Sequence, residues 1–112
     1  MKVAIPVVQG KLSMHFGHAE GFAIIEIEDN SKDIKGTELI PAPPHQPGLL
    51  PSWLGNMGVD LVIVSGMGRR AQGLFEESGI DVIIGAPCYE PETIVRDYLS
   101  GHLVTGGNIC DH

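Results

Sequence analysis

Hydrophobic residues occur in short runs along the chain, separated by Gly, Pro, Asn and Asp, and their spacing changes between the two halves. Val3 to Val8 is almost wholly apolar, as expected of a buried strand; Pro6 cannot donate a ladder hydrogen bond and is expected near its end. Gln9-Gly10-Lys11 reads as a turn, and Leu12 to Ala19 as an irregular segment. From Phe22 to Glu28 the pattern is again strand-like, with Ala23, Ile25 and Ile27 on one face. Asp29 to Asp33 is a turn signal, and Ile34 to Ile40 returns as the second arm of a hairpin. Pro41-Ala42-Pro43-Pro44-His45-Gln46-Pro47-Gly48 excludes helix and central strand.

Helical spacing then takes over. Leu49, Leu50, Trp53, Leu54 and Met57 recur on one face, with Pro51 suited to a first turn and Gly58 to the end. Leu61 to Val64 is a strand, Arg69 to Ser78 a helix stopped by Gly79, and Val82 to Ile84 another strand. Glu90 to Ser100 is a last helix, with Pro91 near its start and Gly101 after it. Strand, helix, strand at this spacing predicts a parallel pair with a right-handed crossover. A hairpin beside such a unit predicts an α/β fold with a mixed sheet of about five strands and flanking helices. Residues 1–101 are expected to form a single domain, with 102–112 as a flexible carboxy-terminal tail.

Composition narrows the function. The apolar runs are far shorter than the roughly 20 residues a membrane helix needs, and no leader is visible before Val3, so a cytoplasmic location is expected. Formal net charge is −7 and only Arg69-Arg70 are adjacent basic residues, which argues against nucleic-acid binding. Two cysteines, Cys88 and Cys110, are too few for a disulfide scaffold.

Two motifs carry a resemblance. Ser13-Met14-His15-Phe16-Gly17-His18-Ala19 follows the first strand region. Gly66-Met67-Gly68-Arg69-Arg70-Ala71 follows a later strand and leads to Glu77-Ser78-Gly79-Ile80-Asp81-Val82. Together, in this order and spacing, they resemble the dinitrogenase iron–molybdenum cofactor biosynthesis family, over Met1 to about Gly101. The resemblance implies a ribonuclease H-like fold. It also implies a nitrogen-fixation accessory or orange-protein-like carrier, holding an iron–molybdenum cofactor or a molybdenum–copper–sulfur cluster. Cys110-Asp111-His112 is not a general feature of the family, so its role rests on its own chemistry.

His15 and His18 are three residues apart, so both rings can point one way, and imidazole nitrogen suits soft transition metals. The alternative is a loop anchored by Phe16 with both histidines in water. Gly17 between them would allow a close approach or a positive φ. Cys110 and His112 add a thiolate and an imidazole; with His15 and His18 they would make four donors. A disordered end with a chance pair is the plain alternative. Gly66, Met67, Gly68, Arg69 and Arg70 lie between strand and helix, where backbone N–H groups and guanidinium groups suit an anionic cluster, molybdate or phosphate. The plain alternative is a tight turn with solvated arginines. Cys88 reads either as a site residue at a strand end or as a buried small hydrophobe. His45 could form a rim, and His102 is most simply a helix C-terminal cation.

Three function classes follow. The first is a non-enzymatic carrier of a metal or metal–sulfur cluster, with a cofactor-assembly or acceptor protein as partner. The second is a regulatory or interaction module with a small-anion cleft. The third is a hydrolase; two-metal chemistry on a ribonuclease H-like sheet needs an acidic residue on the first strand, and Val3 to Val8 offers none.

Overall fold

The computed structural model describes residues 1–43 and 49–106. Its described elements run in the order β1 (Lys2–Val8), β2 (Lys11–Leu12), a short 3-10 turn (Phe16–His18), β3 (Gly21–Ile27), β4 (Ile34–Pro41), α1 (Leu49–Asn56), β5 (Leu61–Ile63), α2 (Arg69–Glu77), β6 (Asp81–Ile83) and α3 (Pro91–Ser100). They form a mixed α/β sheet in the order β4-β3-β1-β5-β6, with the short β2 also paired to β1. The expected hairpin is antiparallel: β3 pairs with β4 and, on its other side, with β1. β1, β5 and β6 are parallel, with Val3 opposite Leu61 and Val62 opposite Val82. The two-residue β2 is additional; Lys11 and Leu12 fold back on Val8 and Val7 where a turn was expected.

Both faces of the sheet are covered, which is why the central strands read as continuous apolar runs and not as alternations. Val3, Ile5 and Val7 of β1 and Ala23, Ile25 and Ile27 of β3 pack on Ile94 and Val95 of α3. Ala4, Phe22, Ile24 and Val62 face the other way, towards Leu54 of α1 and Phe75 of α2. Most of β4 is exposed. As an edge strand it is blunted by charge: Lys35 reaches Glu26 at 3.3 Å and Glu28 at 3.7 Å. A hydrogen bond and charge from Glu26 hold the Lys35 ammonium above its ordinary pKa.

Pro6 lies two residues before the end of β1, near the strand's end as expected, and pairs opposite Phe22. The reason it is tolerated there is directional. Lys2 sends its N–H towards Asp60, on the β5 side, and residues of the same parity follow. β5 pairs only with Val3 and Ala4, so Pro6 stands where no ladder bond is required of it. The helices stop as expected at glycine: Gly79 and Gly101 have φ of +75° and +77°. Beyond α3, His102 donates its N–H to Asp97 C=O at 2.8 Å and Leu103 packs against the α3-side core. None of the described helices is long and apolar enough to cross a membrane.

Candidate functional site

β1, β5 and β6 are parallel, so their carboxyl ends open on one side of the molecule, where ligands gather in such sheets. The first motif is built there by backbone bonds. Ser13 donates its N–H to Pro6 C=O at 2.8 Å, which holds the start of the motif against β1. The Ser13 hydroxyl donates to His15 C=O at 2.8 Å, and the His18 N–H donates to the same carbonyl at 3.1 Å. That carbonyl is therefore the hub of the turn, and the turn places the His15 and His18 rings side by side, centroids 5.2 Å apart and tilted by 57°. Both residues are exposed.

Phe16 points the opposite way. It is buried, and meets Phe22 and Phe75 edge-on at 5.9 Å and 5.4 Å. Such T-shaped pairs use the aromatic quadrupole as well as area. Phe16 thus anchors the histidine turn to the α1 and α2 side of the sheet.

The second motif meets the first directly. The Phe16 N–H donates to Gly66 C=O at 3.1 Å. Gly66 and Met67 are buried, while Gly68, Arg69 and Arg70 are exposed. Gly68 caps α2 at φ −67° and ψ 156° and offers no side-chain oxygen to the positive end of the helix. Gln72 Nε2 donates to Met67 C=O at 2.9 Å and ties the turn to the helix. The Met67 side chain is fully buried beside Phe16 and Phe75, so a ligand at this turn could meet only its backbone.

The glycines depart from the expectation at Gly17. Its φ is not positive, and a Cβ added to Gly17 or to Gly68 would meet no protein atom within 4 Å. Neither turn demands glycine for its own packing; what both positions leave is open space over the backbone.

Two exposed side chains near the site were not singled out by the sequence. Met14 and Tyr89 are 58% and 54% exposed. Tyr89 belongs to the loop after β6, and its carbonyl accepts the Leu12 N–H at 2.9 Å. Met14 stands inside the motif, but nothing in the pattern tells which of Met14 and Phe16 turns outward. Cys88 is exposed on the same loop, which removes the buried-hydrophobe alternative. His45, Cys110 and His112 lie outside the described residues. Among the described residues no three His, Cys, Asp or Glu side chains converge as a metal site.

Comparison with known proteins gives a consistent result. The sequence model described as "Dinitrogenase iron-molybdenum cofactor" matches residues 1–101. An uncharacterised protein of Methanocaldococcus jannaschii, MJ0580, is 40% identical over 87 residues, spanning 73% of this chain and 72% of that one. The crystal structure of the protein PH0822 superposes with a TM-score of 0.85 at 30% identity, over 94% of each chain. The apo form of the orange protein from Desulfovibrio gigas gives a TM-score of 0.63 at 18% identity, over 96% of this chain and 93% of that one, and so shares the fold.

Proposed function

The chain belongs to the dinitrogenase iron–molybdenum cofactor family, and from that premise we propose that it is a non-enzymatic carrier of a metal or metal–sulfur cluster, of the iron–molybdenum or molybdenum–copper kind. The cargo sits at the carboxyl end of the parallel strands, between the His15-to-His18 turn and the Gly66-to-Arg70 turn. The observation that carries this is the Phe16-to-Gly66 hydrogen bond, which joins the two motif turns back to back. The same proposal takes residues 1–101 as one ribonuclease H-like domain in a reducing cytoplasm, with 102–112 as its tail. A five-strand path in which β3 runs against its neighbours supports that description of the fold.

Three features bear on what the cargo is. Two imidazoles are too few for a closed structural metal site, whereas a cluster brings its own sulfur ligands. Cys110 follows Gly106 by four residues, so it reaches at most ~14 Å from that point. Gly106 is bonded to Gly85, whose own N–H is bonded to Ser65 at 3.0 Å, next to the second turn, so the tail starts from the strand ends. Finally, Arg69 and Arg70 stand at the positive end of α2, where cations are unfavourable by about 0.3–1 kcal/mol each. An anionic cargo reverses that sign.

The test is elemental analysis and an absorption spectrum of protein purified anaerobically from its native host. Stoichiometric molybdenum with iron or copper, and charge-transfer bands in the visible, are expected. A colourless, metal-free protein that binds molybdate or phosphate would replace the carrier with a small-anion module.

The arginines make a prediction for anion binding. Replacing Arg69 and Arg70 by Ala is expected to weaken molybdate binding about 3- to 30-fold at low salt, and less at high salt. Unchanged affinity at low ionic strength would leave the turn only a packing role.

A further inference from the structure

The chain beyond α3 returns to the strand ends. The Gly106 N–H donates to Gly85 C=O at 2.7 Å. Gly85 has φ +90°, a conformation that side chains resist, and a Cβ there would collide with the Gly106 backbone, whose carbonyl C and N would lie 2.8 Å away. The contact is one-sided: a Cβ on Gly106 would meet only Gly85 O, at 3.9 Å, and Gly106 needs no positive φ. Gly85 also donates its N–H to Ser65 C=O at 3.0 Å. Ser65 precedes Gly66, whose carbonyl receives the Phe16 N–H at 3.1 Å.

These bonds form a continuous backbone relay from the strap 102–106, through Gly85 and the Ser65-Gly66 peptide, to the histidine turn. We infer that the Gly85–Gly106 contact is a latch that couples docking of the strap to the position of the His15-to-His18 turn. The latch fixes where the chain passes the site, and binding at the turn tightens it. This inference rests on the carrier reading for its use, but the coupling itself is a property of the backbone.

Ser65, Gly66 and Phe16 are buried and their peptide groups keep their hydrogen bonds, whereas Gly85 is half-buried and Gly106 exposed, so the relay runs inward from the surface. Removing the Gly106 N–H frees Gly85 C=O and leaves the Gly85 N–H bond to Ser65 as the link of the relay that holds Gly85 in its left-handed conformation. The disturbance passes to Ser65 and Gly66 before it reaches the β1–β3 ladder, which has its own antiparallel bonds.

Three variants separate this from general loss of structure. Gly106→Pro removes the donor and leaves Gly85 unaltered. Gly85→Ala introduces the collision. Gly106→Ala is the control that keeps both the N–H and the space. Hydrogen exchange is read at the amides of Gly106, Gly85 and Phe16, with Ile25 in the core as reference, without metal and with saturating Zn(II). Without metal, Gly106→Pro and Gly85→Ala are expected to speed exchange at Phe16 by about 5-fold or more, the lower end of ordinary coupling. Gly106→Ala and the Ile25 amide should be unchanged. With Zn(II), the unmodified protein should gain protection at both Phe16 and Gly106. If Zn(II) protects Phe16 but not Gly106, or if Gly106→Pro folds and leaves Phe16 unaltered, the latch is overturned while metal binding at the turn stands. If Zn(II) protects neither amide yet both variants speed exchange at Phe16, the latch stands and ligation by the histidines fails.

Discussion

Replacing His15 and His18 together by Ala is expected to weaken binding of Cu(I) or Zn(II) by more than about 100-fold, because loss of groups that merely orient metal ligands already costs 10- to 100-fold. Folding should hardly change. Both side chains are exposed, and the turn is organised by the His15 carbonyl, which still accepts from the Ser13 hydroxyl and the His18 N–H after the substitution. Surface changes of that kind stay within about 0.5 kcal/mol. Ligation requires neutral imidazole and thiolate, so binding should release protons and weaken as pH falls. Deleting residues 108–112, which removes Cys110 and His112, should lower affinity in the same direction. The measurement is competition against a chromophoric chelator, with thermal unfolding as the control. If the truncated chain binds as tightly as the full one, the tail is a bystander. The cargo would then be held by the two turns, through backbone N–H groups and Arg69-Arg70.

Replacing Phe16 by Ala should have the largest effect on stability, a loss of about 3–5 kcal/mol. The side chain is 7% exposed and fills the space between Phe22 and Phe75. Its removal leaves a cavity among residues that belong to the strand, the helix and both motif turns, and the rigid β1–β3 ladder limits collapse into it. Against a typical total of 5–15 kcal/mol this is a fifth of the stability or more. The midpoint should fall by roughly 12–20 °C for a domain of this size. Phe16→Leu should recover most of the loss, since it restores volume without the edge-on geometry. The histidine turn should loosen as well, because the Phe16 N–H bond to Gly66 depends on the anchor. A Phe16→Ala variant as stable as the parent would mean that the turn is not held through the core.

The architecture was legible because it rests on local rules. Val3 to Val8 and Phe22 to Glu28 read as strands from their apolar runs. The glycines after α2 and α3 marked helix ends, because only glycine takes the left-handed conformation there at no cost. Strand, helix, strand spacing implied the parallel pair. The two motifs were recognisable as a combination, and with them the family. Pro6 was placed near the end of its strand, but why it is tolerated within the pairing is something no run of residues contains. Whether a strand residue owes a hydrogen bond depends on which neighbour lies on that side, and how far that neighbour extends.

The site divides the same way. His15, His18, Arg69 and Arg70 announce their chemistry by residue type, so the chain alone names them as candidates. That Phe16 and Met67 turn inward while Met14 turns outward is decided by which face of the sheet each packs against. That Cys88 is exposed depends on the path of the loop after β6. The hydrogen bond from Phe16 to Gly66 and the contact of Gly85 with Gly106 join segments distant in the chain, and backbone atoms carry both. Side-chain identity constrains such contacts only by what it forbids, as at Gly85, where a Cβ has no room. Sequence therefore determined the elements, the family and the donor atoms on offer; tertiary structure decided which of them meet, because meeting depends on strand order and on the two-sided packing of one sheet.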